Sequence, residues 1–307
     1  KLAAMYDEPF GDSSQIPTHL VAQLARQHVT VALSGDGGDE LFGGYTRYFI
    51  EQKYLQRTAA IPRPLHTILG RTLTAIAPRA WHRVHKVARV LASDDRDAMY
   101  FELMSHWSDV VIGGNDQPLT ARPSIDDPIE RMMLLDQLSY LPDDILTKVD
   151  RASMAVSLEV REPLLDHRLV EFAWRLPLAM KVRGATGKHV LRRVLDRYVP
   201  RTLIERPKMG FGIPLETWLR GRLRDWAESL LDASTLRAQG LLDPQPIRAK
   251  WEEHIAGKGE WKHYLWAVLM LQSWLSHERD ASTSATDTPR NTECSASPIA
   301  RSSRSDA

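Results

Sequence analysis

Three acids and three glycines fall side by side in this chain as Gly35, Asp36, Gly37, Gly38, Asp39 and Glu40. Ser34 stands just before them, and a second glycine pair, Gly43-Gly44, follows among the aromatics Phe42, Tyr45 and Tyr48. Carboxylates grouped this way can hold a hard cation or orient a reacting group, and glycines let the backbone approach a ligand or take positive φ. The alternating acid pattern of a calcium loop is absent, and Ser34 lacks the glycine frame of a hydrolase nucleophile. The same residues also suit a surface turn whose acids are merely solvated.

Two further groups carry charge in suggestive company. Residues 140–177 read YLPDDILTKVDRASMAVSLEVREPLLDHRLVEFAWRLP, with Asp143 and Asp144 after Pro142 and a Lys148/Asp150/Arg151 and Glu159/Arg161 set beyond them. Such a set suits an internal ion network as well as chemistry. Residues 206–212, RPKMGFG, place Lys208 in a glycine-rich loop, where a lysine is either a flexible surface group or a point charge for a polyphosphate. Near the start, DEPFGDSS holds Asp12, with Ser13-Ser14 placed to cap a following helix over 17–27.

The elements that must position these groups follow from pattern. Residues 29–33 form a short apolar, β-branched run, expected as a buried parallel strand, so the acids would lie beyond its carboxyl end, where open α/β sheets bind ligands. Leu20, Val21, Leu24 and Ala25 mark one face of the 17–27 helix. Asp166 is expected to cap a helix over 169–176 that Pro177 ends. Val190, Leu191, Val194, Leu195 and Tyr198 give another amphipathic helix before Pro200. Trp251, Trp261, Trp266 and Trp274, with Leu265, Val268 and Leu269, read as the core of a C-terminal helical part.

Composition limits the rest. A 307-residue chain with 43% hydrophobic residues can bury one large core or two smaller ones. Its net charge of +1 makes no overall case for nucleic acid or an anionic membrane. The basic stretch 47–89 is read as helical surface, with nucleic-acid binding the weaker alternative. The lone Cys294 excludes a disulfide framework and fits a reducing cytoplasm, and no apolar run matches a spanning helix. From 276 to 307 the chain turns polar and is expected to be a disordered tail behind a domain at 1–275.

The string SGDGGDELFGGY resembles the second signature of the asparagine synthetase family, and KVDRASMAVSLEVREPLLD, DEPFGDSS and RPKMGFGIP resemble further family segments. The likeness spans 8–275, about the last two thirds of the family's synthetase domain. It implies an α/β fold, with an incomplete adenine-nucleotide α-hydrolase-like parallel sheet and a large helical subdomain. It also implies a carbon–nitrogen ligase that makes L-asparagine from L-aspartate through β-aspartyl-AMP, using ATP and Mg²⁺ and releasing AMP and pyrophosphate. Nitrogen would come from glutamine through an N-terminal glutaminase domain, or from free ammonia.

By the same resemblance Ser34 and Gly35 contact ATP, Asp36 takes the acid position tied to the acyl-adenylate, Asp39 is a Mg²⁺ ligand and Lys208 stabilises pyrophosphate. Asp143 or Asp144 would lie near the substrate amino group, with Asp12 on the substrate side. Asp36 stands where many members have Glu. Neither an SGG-x-DSS pyrophosphate loop nor the glutaminase domain occurs in these 307 residues, which are therefore expected to be inactive alone. A β-lactam synthetase-like or peptide-modifying relative, and a non-catalytic binding module, are the alternative readings. Whether a second copy completes a homodimer stays open.

Overall fold

The computed structural model describes residues 1–49, 63–76, 88, 96–107, 110–112, 125–204 and 210–286. It is mostly helical, with one parallel sheet of two short strands. The elements that carry the site are α1 (Gln15–Arg26), β1 (Val31–Leu33), α2 (Gly38–Phe42), α3 (Pro128–Leu138), a π-helix (Leu141–Leu146), α4 (Thr147–Met154), β2 (Glu159–Arg161), α5 (His167–Arg175) and α6 (His189–Leu195).

Strands β1 and β2 pair in parallel, Val31 with Glu159, Ala32 with Val160 and Leu33 with Arg161. Ser34 N–H extends the ladder by donating to Arg161 O at 2.8 Å. The expectation of a parallel strand holds, but that of burial does not. Val31 and Leu33 are 39% and 73% exposed. Among the described residues β1 has one strand neighbour, and that pairing leaves the Val31 and Leu33 side chains largely uncovered.

Helix α1 begins two residues before the expected start, and its Leu20, Val21 and Leu24 face solvent. Its buried residues are Gln15 and Ala22, and it packs along α4 where His19 Nδ1 lies 3.1 Å from Ala152 O. Ser14 occupies the N-cap position, but its hydroxyl makes no cap bond and donates to Asp12 instead. Asp166 caps α5 as expected, accepting from Arg168 N.

Three apolar clusters hold these parts. Leu41 and Phe42 of α2 bury against Ala173 of α5, with Leu165, Val170, Val190 and Leu191 around them. Burial of such side chains is worth about 1.5–3 kcal/mol each, which fixes a five-residue helix too short to stand alone. Tyr48, Phe49, Tyr100, Ile129, Met132, Met133, Leu135 and Val182 form a second cluster. The third is the expected C-terminal one, with Trp251, Trp261, Trp266, Leu265 and Leu269 buried together. The last helix runs Lys262–Thr286, so the polar segment expected to be unstructured from 276 begins as helix, its Glu278, Arg279 and Ala281 being good helix formers.

Of the basic stretch 47–89, Arg47 points inward, 2.7 Å from Asp136. The helix Arg63–Ile76 leaves Leu65, Ile68 and Leu69 exposed, and the remainder lies largely outside the described residues. Among the described residues no helix is long and apolar enough to cross a membrane.

Asp136 is fully buried and accepts from Tyr100 Oη at 2.6 Å, from Tyr48 Oη and from Arg47. Removing it strands a partly buried guanidinium and two buried tyrosine hydroxyls. Asp136→Ala is expected to cost about 3–5 kcal/mol in urea unfolding, with Asp136→Asn costing less because it keeps an acceptor. Equal, small losses for both would show that the network does not hold the second cluster.

Candidate functional site

The loop after β1 turns at Gly37, whose φ of +83° only glycine takes without strain, and a side chain there would strike Leu165. Gly35 has open space where a Cβ would stand. Ser34 Oγ donates to the Asp36 carboxylate. Glu162, one residue past β2, lies close enough to Asp36 that burial and the Asp36 charge both raise its carboxyl pKa. Ser34, Gly35, Asp36 and Glu162 thus gather at the carboxyl ends of the paired strands.

Asp39, in the first turn of α2, meets a cation. Lys188 Nζ lies 2.7 Å from Asp39 Oδ2, across a seam where the chain folds glycine against glycine. A Cβ on Gly187 would stand 1.9 Å from Gly43 O, and one on Gly44 would stand 2.0 Å from Asp39 Oδ1 and 2.5 Å from Lys188 Cε. Lys188 itself has φ +58°, and its N–H donates to Phe42 O at 2.8 Å. Left-handed backbone in a non-glycine residue costs on the order of 1–3 kcal/mol, so the surrounding contacts hold this lysine in place.

A second charged centre lies where α1, the π-helix and α4 meet. Lys148, buried on α4, is 2.6 Å from Asp12 Oδ2 and 3.2 Å from Asp144 Oδ1. Asp12 is also fixed by Ser14 N and Oγ. The π-helical turn sets Asp144 toward this lysine while Asp143 stays exposed, so the geometry separates the two acids that the sequence left equivalent. Single π turns often mark functional positions. Burial pushes the Asp144 carboxyl up to about 6, Lys148 pulls against it, and the Asp12 charge adds to the rise. For Asp12, burial also favours the neutral form, but the Lys148 ammonium outweighs it and leaves the carboxyl below its usual range.

An aromatic wall joins the two centres. The Arg47 guanidinium stacks 3.8 Å from the Tyr45 ring centroid and 4.8 Å from that of Tyr140, and Tyr45 Oη donates to buried Glu40 at 2.6 Å. Burial first, then the nearby carboxylates, raises the Tyr45 and Tyr140 pKa values, so both hydroxyls stay neutral donors.

The structure therefore brings Ser34, Gly35 and Asp36 together, and separately Asp12 and Asp144. Lys208 lies outside the described residues. Sequence reading did not single out Lys188, Glu162 or Tyr140. The signal for Lys188 was its place after Gly187, a glycine whose need shows only once the 43–44 turn is laid against it. For Mg²⁺ the donor chemistry fits in part. The ion favours one or two carboxylates completed by phosphate oxygens, and Asp39 offers one carboxylate already seated against a cation. Among the described residues no group of three or more His, Cys, Asp or Glu could hold a metal ion.

Comparison with known proteins adds the following. A family model described as asparagine synthase matches residues 1–276. A putative asparagine synthetase (glutamine-hydrolyzing) of Mycobacterium bovis is 34% identical over 282 residues, covering 87% of this chain and 42% of that protein. Asparagine synthetase (glutamine-hydrolyzing) 1 of Bacillus subtilis is 30% identical over 287 residues, covering 90% of this chain and 45% of that protein. The chain spans less than half the length of either relative.

A carboxyl whose folded pKa lies above its unfolded value favours folding below the unfolded value and opposes it as pH rises through the folded one. Asp144 should therefore cost stability between about pH 4 and 7. Asp144→Asn is expected to match the parent near pH 4 and exceed it near pH 7.5 by on the order of 2 kcal/mol in denaturant melts. A variant less stable than the parent at both pH values would contradict this.

Proposed function

The chain belongs to the asparagine synthase family, and from that premise we propose that it carries the ATP-dependent amidation of L-aspartate to L-asparagine. The proposal covers the protein containing this chain, with glutamine-derived ammonia as nitrogen source, a glutaminase domain as partner and a β-aspartyl-AMP intermediate. These residues would form the last strands of an adenine-nucleotide α-hydrolase-like sheet and its helical subdomain, at 1–275. The observation that carries the reading is the placement of Ser34, Gly35 and Asp36 at the carboxyl ends of two parallel strands, on a loop with room at Gly35.

In the proposed reaction an aspartate side-chain oxygen bonds to the α-phosphorus of ATP and pyrophosphate leaves. Ammonia then bonds to the acyl carbon, AMP departs with the transferred oxygen, and the nitrogen sheds a proton. Ser34 and the Gly35 backbone would hold the nucleotide, and Asp36, its carboxylate oriented by Ser34, would face the forming adenylate. Mg²⁺, held by Asp39 together with phosphate oxygens, would offset the phosphate charge. Lys208 would stabilise the departing pyrophosphate.

The Asp12–Lys148–Asp144 centre carries one net negative charge when both carboxylates are ionised, which suits a primary ammonium. Of the two acids after Pro142, Asp144 is the better partner for the aspartate amino group because it joins Asp12. Asp143, exposed on the outer side, is the weaker choice.

On the complete gene product we expect pyrophosphate release that needs both aspartate and Mg²⁺. Asp144→Asn should raise the aspartate KM roughly tenfold or more, the loss of one charged hydrogen bond, while the ATP KM changes little. The 307-residue chain alone should not turn over. Turnover with other carboxylic acids but not aspartate would favour the β-lactam synthetase-like or peptide-modifying alternative. Absence of nucleotide binding in the complete product would favour a non-catalytic module.

A further inference from the structure

The net charge of +1 hides an uneven distribution along the chain. Residues 52–93 hold eight lysines and arginines and no aspartate or glutamate, so the rest of the chain is net acidic. Within that stretch lies the helix Arg63–Ile76, whose apolar side is not the side that is covered. Leu65, Ile68, Leu69 and Ile76 recur at helical spacing and form one stripe, yet they are 52%, 60%, 46% and 70% exposed. Gly70, on another side of the helix, is buried, and Leu73 at the edge of the stripe is half-buried. The helix is thus covered along one side while its apolar stripe faces outward, with exposed Arg71 beside it. Thr72 falls within the stripe, but its hydroxyl donates back to Ile68 O at 2.8 Å, which satisfies it without an outside partner.

We propose that this helix docks on an anionic lipid surface, lying in its plane with Leu65, Ile68, Leu69 and Ile76 at the boundary with the acyl chains. Such a helix needs an apolar stripe and basic surroundings, and this one has both with no acid nearby in sequence to oppose them. Its 14 residues are too few to span a bilayer, so it rests on the surface. A nucleic acid would answer the charge but leave the stripe in water. A second copy would cover the stripe, but a two-fold contact would bring two stretches of eight positive charges together. Lipid headgroups answer the charge and acyl chains answer the stripe. The proposal does not depend on the amidation chemistry.

The test is cosedimentation of the complete gene product with vesicles of phosphatidylcholine alone or with phosphatidylglycerol added. The anionic vesicles should bind roughly tenfold or more tightly than the neutral ones, and added salt should weaken that binding. Ile68→Gln with Leu69→Gln, at exposed positions that folding does not require, should weaken it by about tenfold or more, because two side chains lose their apolar environment. Arg71→Gln should weaken it roughly fivefold, the loss of one charge near the surface. Leu20→Gln with Leu24→Gln, a similarly exposed pair on α1, should leave it unchanged. Absence of binding to anionic vesicles would overturn the proposal, as would binding that survives Ile68→Gln with Leu69→Gln or falls equally with the α1 pair. Binding by the 307-residue chain but not by the complete product would also overturn it, and would show that the rest of the protein covers the stripe. Retention of RNA, or self-association lost on Ile68→Gln with Leu69→Gln, in the absence of vesicle binding would assign the surface to a nucleic acid or a second copy instead.

Discussion

The parallel pairing of β1 with β2 is the constraint on which the rest of this molecule depends. Three register pairs and the Ser34–Arg161 hydrogen bond tie an early loop to a segment from the middle of the chain. Once the ladder is set, the turn at Gly37 falls under Leu165, Asp36 comes beside Glu162, and Leu41 and Phe42 drop into the cluster formed with α5. The strands bury little of their own surface, so the pairing is held by what surrounds its ends. Shifting the register by one residue would turn Ser34 away from Arg161 and separate the acids from the second strand.

Two lysines, each from a different part of the chain, then meet the carboxylates of the site. Lys148 bridges Asp12 and Asp144 from a buried position on α4, and Lys188 meets Asp39 from a strained helix start. Neither arrangement is what stability alone would select. A carboxyl held near pH 6 and a left-handed lysine both raise the energy of the folded state. The Arg47 stack between Tyr45 and Tyr140, anchored on Asp136, supplies the rigid wall between them.

The placement of the acid and glycine loop after a strand was legible because it is local. Ser34, Gly35, Asp36 and Asp39 lie within six residues, and the apolar run 29–33 just before them places them after a strand. The Asp166 cap and the tryptophan-rich core were read from neighbouring residues in the same way. What escaped was long-range. The Asp39–Lys188 pair is closed by chain segments far apart in sequence, and nothing within either segment announces the other. The family likeness left Asp143 and Asp144 equivalent because distant members are offset by a residue there, and only the fold, which sets Asp144 against Lys148, separates them. Periodicity also reported α1 correctly as a helix without saying which face is covered. Leu20, Val21 and Leu24 proved exposed because α4 packs on the side of Ala22.

The central claim is that this site activates a carboxylate by transferring AMP to it, and isotope transfer tests that most directly. The complete gene product would be supplied with ATP, Mg²⁺, ammonia and L-aspartate carrying heavy oxygen in its side-chain carboxylate, and the products analysed by mass spectrometry. The account predicts a single heavy oxygen in AMP and none in pyrophosphate. Unlabelled AMP, or label appearing in inorganic phosphate, would contradict it.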